Sequence, residues 1–336
     1  MIKLTVVYSV EKGAKPLRDI DYATAVARVR VNENSLLSTS DIDRLCGTKS
    51  EQEAIAVLQE KGFLSAGENV ETALESVVSK AFSLIKEIAP DKNEFDFLLI
   101  KNDFHNLKTV LKGVITDTDY EEYLIKPSVV DTEIIKTAVK EQKFSLLPKY
   151  MSDTAQTAYD YFVTTSDGQL SDICIDKGSL LAVLALSQNN QNAFIRDLGE
   201  LIVASANMRI AVRAAKIKQS DNILKQALCD TKSLSAKKLI EAAAEGVQAV
   251  GEYISNTKFS LAAAELSKSV GDFEKWCDNA LVDFVESSRY SSFGPAPLAA
   301  YVVRAEALQK TIRIIISGKR AGLAENEIKQ RIRAVY

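Results

Sequence analysis

Histidine occurs once in the 336 residues, tryptophan once, proline six times and glycine 14 times. So few turn formers leave little room for many short strands and favour long helices. His105 has no nucleophile at a recognisable spacing, so a Ser–His or Cys–His mechanism finds no support. The cysteines, Cys46, Cys174, Cys229 and Cys277, lie far apart and form no Cys-x-x-Cys pair. That argues against a zinc site and for buried thiols in a reducing compartment. No GxxxxGK[ST] or GxGxxG occurs, and Gly318-Lys319 lacks the earlier Gly and the following Ser or Thr. No cofactor is expected. The longest apolar run, Leu180 to Leu186, is far short of a membrane span. Met1 to Tyr8 lack the apolar core of a secretory signal, so no leader is expected. Base is not in excess: the net charge is −3, which argues against nucleic acid as a partner.

The composition itself is that of a folded protein, 46% hydrophobic and 26% charged, with enough chain for two or three cores. The fold class read from it is all-α. Ile2, Leu4 and Val6 alternate like a short strand, but helical signals take over from Asp21, which is placed to cap a helix bearing Tyr22, Val26 and Val29 on one face. Ser50 and Glu53 form a capping-box pattern, and Gly62 ends the helix after it. Val70, Leu74, Val77, Ala81, Leu84 and Ile88 make an apolar stripe that stops at Pro90, and Asp91 with Glu94 suggests the next helix start. Further helices are predicted over 131–143, 153–165, 178–188, 192–218, 235–255, 259–290, 297–317 and 324–335. Pro295 and Pro297 suit a helical first turn, where their missing N–H has no partner to lose.

A repeat runs through this series. Asn106-Leu-Lys-Thr-Val-Leu-Lys-Gly113, Asn207-Met-Arg-Ile-Ala-Val-Arg-Ala214 and Thr311-Ile-Arg-Ile-Ile-Ile-Ser-Gly318 share one pattern, in which a polar residue, an apolar one and a base precede mostly aliphatic positions and a small residue. Lys108, Arg209 and Arg313 are equivalent, 101 and 104 residues apart. A fainter copy places Arg28 in Val26-Ala-Arg-Val-Arg30. A second feature keeps step: Leu45-Cys-Gly-Thr-Lys-Ser50 matches Leu228-Cys-Asp-Thr-Lys-Ser233, and Lys126-Pro-Ser128 resembles both. These segments end 22, 24 and 20 residues after Arg28, Arg209 and Lys108. The repeat divides the chain into three related helical domains, 1–115, 116–217 and 218–336.

The pairs Leu107/Leu111, Met208/Val212 and Ile312/Ile316 lie one turn apart and are expected in the core. Gly113, Ala214 and Gly318 are expected to admit a close-packed helix. The bases Lys108, Arg209 and Arg313 have two readings. They anchor helices within each unit, or they face a partner. The C-terminal bases, among them Lys310, Lys319, Arg320, Lys329 and Arg331, divide in the same way between a solvated helix face and a docking surface. Scattered carboxylates such as Asp96, Asp103 and Glu306 read as ion-pair partners of the bases.

A family resemblance rests on further residues. Phe293-Gly-Pro-Ala-Pro-Leu-Ala-Ala-Tyr301, Glu306, Ile312-Arg-Ile-Ile-Ile-Ser-Gly-Lys319, Leu323 and Arg331-Ile-Arg-Ala-Val-Tyr336 together resemble the C-terminal signature of the C subunit of archaeal and bacterial V-type (A-type) ATPases, a relative of the d subunit of the vacuolar ATPase. Tyr22, Ala27-Arg-Val-Arg30 and Asp103-Phe-His-Asn-Leu-Lys108 also match. Ala296 and Thr311 depart from it, standing where Glu and Asn are common. The resemblance implies a non-catalytic protein of three domains in pseudo-threefold, funnel-like arrangement. It implies central shaft subunits and a membrane proteolipid ring as partners, and a peripheral place on the cytoplasmic face of the membrane, attached through the ring. In that setting Lys108, Arg209, Arg313, Arg28, Lys319 and Arg320 are the candidate partner-binding residues. A helical-repeat scaffold for another protein, or an enzyme with carboxylates in an inter-domain hollow, are the competing readings.

Overall fold

The computed structural model describes residues 17–165 and 168–335, and among them helix is the only regular secondary structure. The alternating segment at Ile2 to Val6 lies outside the described residues. Among the described residues the backbone divides into two units, a continuous one within 94–270 and a discontinuous one built from 17–93 and 271–335.

The first half of the discontinuous unit carries α1 (Ala23–Glu33), α2 (Thr39–Cys46), α3 (Glu51–Glu60) and α4 (Val70–Ile88). Tyr22, Val26 and Val29 are buried together as their spacing predicts. Asp21 caps differently from expectation: its carboxylate accepts from the Arg18 N–H and closes a short 3-10 turn ahead of α1. Ser50 caps α3 by accepting from the Glu53 N–H, and Gly62 follows the helix at φ 69°. On α4 the buried face is Ala73, Leu74, Val78, Ala81, Phe82 and Ile85. Val77, Leu84 and Ile88 of the predicted stripe are only half-buried. Two overlapping apolar stripes fit the same sequence, and the packing selects the one holding Phe82.

The continuous unit holds α5 (Ile100–Thr116), α6 (Thr132–Lys140), α7 (Lys149–Thr165), α8 (Gly168–Gln188), α9 (Ala193–Ile217), α10 (Asp221–Ala227), α11 (Ala236–Glu245), α12 (Val247–Ser255) and α13 (Ser260–Lys268). Asp91 makes a turn with Asn93, and α5 begins only after a 3-10 turn at Asp96–Leu98. The helix predicted over 235–255 is two helices, broken at Gly246, whose φ of 127° suits a residue without Cβ. The predicted 259–290 helix is also broken, at the extended Ser269. Apolar spacing continues across both breaks, so periodicity alone hides them.

The discontinuous unit is completed by α14 (Val270–Glu286), α15 (Ala296–Arg320) and α16 (Glu325–Arg331). Pro295 and Pro297 sit at the start of α15 as predicted. Helix α15 is the hub of this unit and packs on α1, α2, α3, α4 and α16. Its Leu308, Ile312, Ile315 and Ile316 join one apolar cluster with Leu45, Leu58, Leu74 and Ile328. Residues 332–335 are not helical, unlike the expectation for 324–335. Their backbone bonds to side chains instead: Thr311 Oγ1 donates to the Arg333 carbonyl at 3.2 Å, and Asn279 Oδ1 accepts from the Ala334 N–H at 2.8 Å.

Candidate functional site

The repeated helices are α5, α9 and α15, and their predicted core pairs are buried: Leu107 and Leu111, Met208 and Val212, Ile312 and Ile316. All three end alike. The N–H of Thr118, Gln219 and Leu323 reaches back to the carbonyl of Gly113, Ala214 and Gly318, with Asp117, Lys218 and Gly322 in the left-handed region just before. Gly113 and Gly318 have close neighbours, a helix at Gly318 but not at Gly113. At Gly113 an added Cβ runs into the Tyr120 ring, and at Gly318 it meets Ile328 of α16 at 2.8 Å.

After each of these helices the chain returns along it as a strap, pinned by the first residue of the repeat. Asn106 donates to the Ile125 carbonyl at 3.0 Å and accepts from the Ile125 N–H at 2.8 Å. Asn207 does the same with Cys229, at 2.6 and 3.4 Å. Thr311 makes one such bond, to Arg333. An acid upstream on the helix holds the later part of two straps. Asp103 Oδ1 accepts from the N–H groups of Val129 and Val130, and Glu200 accepts from the N–H of Lys232 and from the N–H and hydroxyl of Ser233. Burial pushes the Asp103 carboxyl up to about 7, against the pull of the Val130 and Val129 N–H groups and with a further push from Asp96. Burial also opposes ionisation of Glu200, yet its hydrogen bonds from Ser233 and Lys232 hold it below the usual carboxylate range.

The six candidate bases fall out as follows. In the continuous unit Lys108 pairs with Asp176 of α8 at 2.5 Å, one turn from the Lys112–Asp172 pair at 2.6 Å, so α5 and α8 are laced together. Arg209 is half-buried on α9. In the discontinuous unit Arg28 pairs with Glu87 at 2.8 Å, Arg313 with Glu71 at 2.9 Å and Arg320 with Glu51 at 2.6 Å. These three side chains remain 46%, 42% and 67% exposed, so surface access survives the pairing. Lys319 is buried, and its ammonium donates to the carbonyls of Cys46 and Thr48, each at 2.5 Å. Cys46 ends α2, so Lys319 caps that helix with a charge of the favourable sign. It also makes Cys46 the counterpart of Cys229, since both matched segments have a backbone carbonyl held by a side chain of a long helix.

One ion pair lay beyond the reach of the sequence. Arg304 of α15 is buried and paired with Glu33, which Arg30 also binds at 2.8 Å. Arg30 further donates to the carbonyls of Ser288 and Ser291. The partners are 271 residues apart in the chain, and no local spacing signals them. They border a cavity of about 240 Å³ that Leu37, Leu308 and Val335 also line. His105 Nε2 donates a hydrogen bond to the Tyr123 carbonyl, 3.1 Å away. Among the described residues no group of three or more His, Cys, Asp or Glu is placed to hold a metal ion, and no helix is long and apolar enough to cross a membrane.

Comparison with known proteins gives this arrangement a setting. The family described as ATP synthase (C/AC39) subunit matches residues 25–331. The C subunit of the V-type sodium ATPase of Enterococcus hirae is 24% identical over 323 residues, covering 92% of this chain and 97% of that protein. The C subunit of the A-type ATP synthase of Methanocaldococcus jannaschii is 22% identical over 343 residues, covering 92% and 85%. That of Haloquadratum walsbyi is 23% identical over 344 residues, covering 92% and 97%.

Proposed function

The chain belongs to the ATP synthase (C/AC39) subunit family, and on that footing we propose that it is a non-catalytic part of the central stalk, coupling the central shaft of a rotary ATPase to its membrane proteolipid ring. The near full-length correspondence with the C subunits of V-type and A-type enzymes carries the reading. In it, three helical domains, 1–115, 116–217 and 218–336, stand in pseudo-threefold arrangement about a hollow that receives the shaft. The protein sits at the cytoplasmic face of the membrane, held there by the ring rather than by a span of its own.

The six bases take different parts in this reading. Arg28, Arg313 and Arg320 combine exposure with a carboxylate that fixes each guanidinium, which suits contact with a partner at little ordering cost. Lys108 presents a smaller exposed area beside Asp176. Arg209 and Lys319 lie deeper and set the helices and segments from which partners are met. Polar, pre-paired contacts keep the separate protein soluble and steer it to complementary charge.

The test is retention. Membranes stripped of the catalytic head are expected to keep the chain with the proteolipid ring. Release of the chain with the head is the result that counts against ring docking.

A further inference from the structure

Helices α14 and α15 and the non-helical residues 332–335 border an open depression of about 260 Å³, lined by Asp278, Lys310, Arg313, Ile314, Ser317 and Arg333. Three of these six residues are cations and one is an anion. Asp278 is engaged twice, by Arg333 at 2.6 Å and by Lys310 at 3.2 Å. Glu71 holds Arg313 through Nε and Nη2, which fixes the guanidinium beside the depression. Positive charge also accumulates behind the wall. Lys275, whose ammonium donates to the Gln330 carbonyl, has its pKa pushed down by burial first and by Arg333 second, with Asp272 opposing. The Arg333 side chain is only 18% exposed and Asp278 14%, so the inner wall is held rigidly, whereas Lys310 is 45% exposed at the mouth. Ser317 adds a hydroxyl donor on the same face of α15, one turn beyond Arg313.

We propose that this depression is a binding site for a small phosphate-type oxyanion, taken between Lys310, Arg313 and Arg333 with Ser317 as a neutral donor. Guanidinium groups match the geometry of phosphate oxygens, and the half-exposed Lys310 ammonium at the mouth adds a compact charge without a fork geometry. The depression has room for one phosphate or diphosphate group. Because Arg333 belongs to the returning residues 332–335, an anion here also pins that segment to α14 and α15. The same chemistry is offered by free phosphate compounds and by a phosphomonoester lipid headgroup.

The test uses the full chain in chloride buffer, titrated calorimetrically with inorganic diphosphate. Saturable binding of one equivalent is expected. Lys310→Gln is expected to weaken it about tenfold, and Ser317→Asp, which places a carboxylate on the exposed wall, to weaken it more than that. Lys237→Gln, on a lysine 85% exposed in the continuous unit, is expected to leave it unchanged. Thermal unfolding of each variant without diphosphate checks that the fold is intact. A parallel flotation assay with phosphatidylcholine vesicles, with and without phosphatidic acid, separates the sources. Diphosphate binding without flotation assigns a soluble ligand, and flotation lost in Ser317→Asp assigns the headgroup. Absence of both, or equal weakening by Lys237→Gln, overturns the proposal.

Discussion

Asn207 and Cys229 pair as two amides do in a ladder: the side chain donates to the backbone carbonyl at 2.6 Å and accepts from the backbone N–H at 3.4 Å. Both partners are buried, so water cannot replace either bond. Asn207→Leu strands a donor and an acceptor and is expected to lower stability by about 2–4 kcal/mol. Thr311→Val removes a single bond, to Arg333, and is expected to cost about 1 kcal/mol. Chemical unfolding of the two variants checks the ratio, and equal losses are the outcome against an Asn clamp.

Asp103 sets a pH dependence. Its folded pKa, about 7, lies above the ordinary carboxylate value of roughly 4, so the folded state holds the proton more tightly than the unfolded chain does. Stability from this group therefore falls as pH rises from about 4 to about 7, and levels off above. Asp103→Asn keeps an oxygen to accept from Val129 and Val130 and removes the charge. Unfolding free energies between pH 5 and 8, in roughly unit steps, are expected to fall less steeply in the variant than in the parent. Parallel curves exclude the assignment.

Neighbouring bases Lys319 and Arg320 are expected to behave oppositely. Lys319→Met leaves the Cys46 and Thr48 carbonyls without their charged donor and is expected to cost about 2–4 kcal/mol. Arg320→Gln breaks a largely exposed pair with Glu51 and is expected to leave the melting temperature nearly unchanged. If Arg320 meets a partner, its substitution weakens assembly while the melting temperature holds, which a pull-down run beside thermal unfolding reads directly.

At Gly113 the expected effect is steric. Alanine there drives a methyl into the Tyr120 ring and is expected to cost about 1–3 kcal/mol. Tyr120→Ala in the same chain should return part of that loss. A double-mutant cycle measures the coupling, and strict additivity rules out the contact as its cause.

The three repeated helices are legible in the sequence because apolar spacing, a base and a small residue recur together, ending at Gly113, Ala214 and Gly318. The bases of the repeat stand out in the sequence more than the residue two positions earlier. Yet Asn106, Asn207 and Thr311 make the repeated contact, and their role depends on a backbone segment 19 to 22 residues onward. The matched Cys46 and Cys229 segments were a sign of it, since a segment held by its backbone recurs in spacing more readily than in side chains. The breaks at Gly246 and Ser269 escaped because a helix and a bent helix pair share one hydrophobic period. Arg304 and Glu33 escaped because distance along the chain carries no trace of proximity in space.

The interleaved layout of the chain has a consequence for biosynthesis. Residues 94–270 can complete their contacts as soon as they are made, and their Asn clamps close over short stretches of chain. Helices α1 to α4 have no such independence. Their apolar faces close on α15, and Cys46 waits for Lys319, 273 residues later. During synthesis from the N-terminus they are made long before the helix that buries them, so this is a stretch for which a nascent chain needs protection.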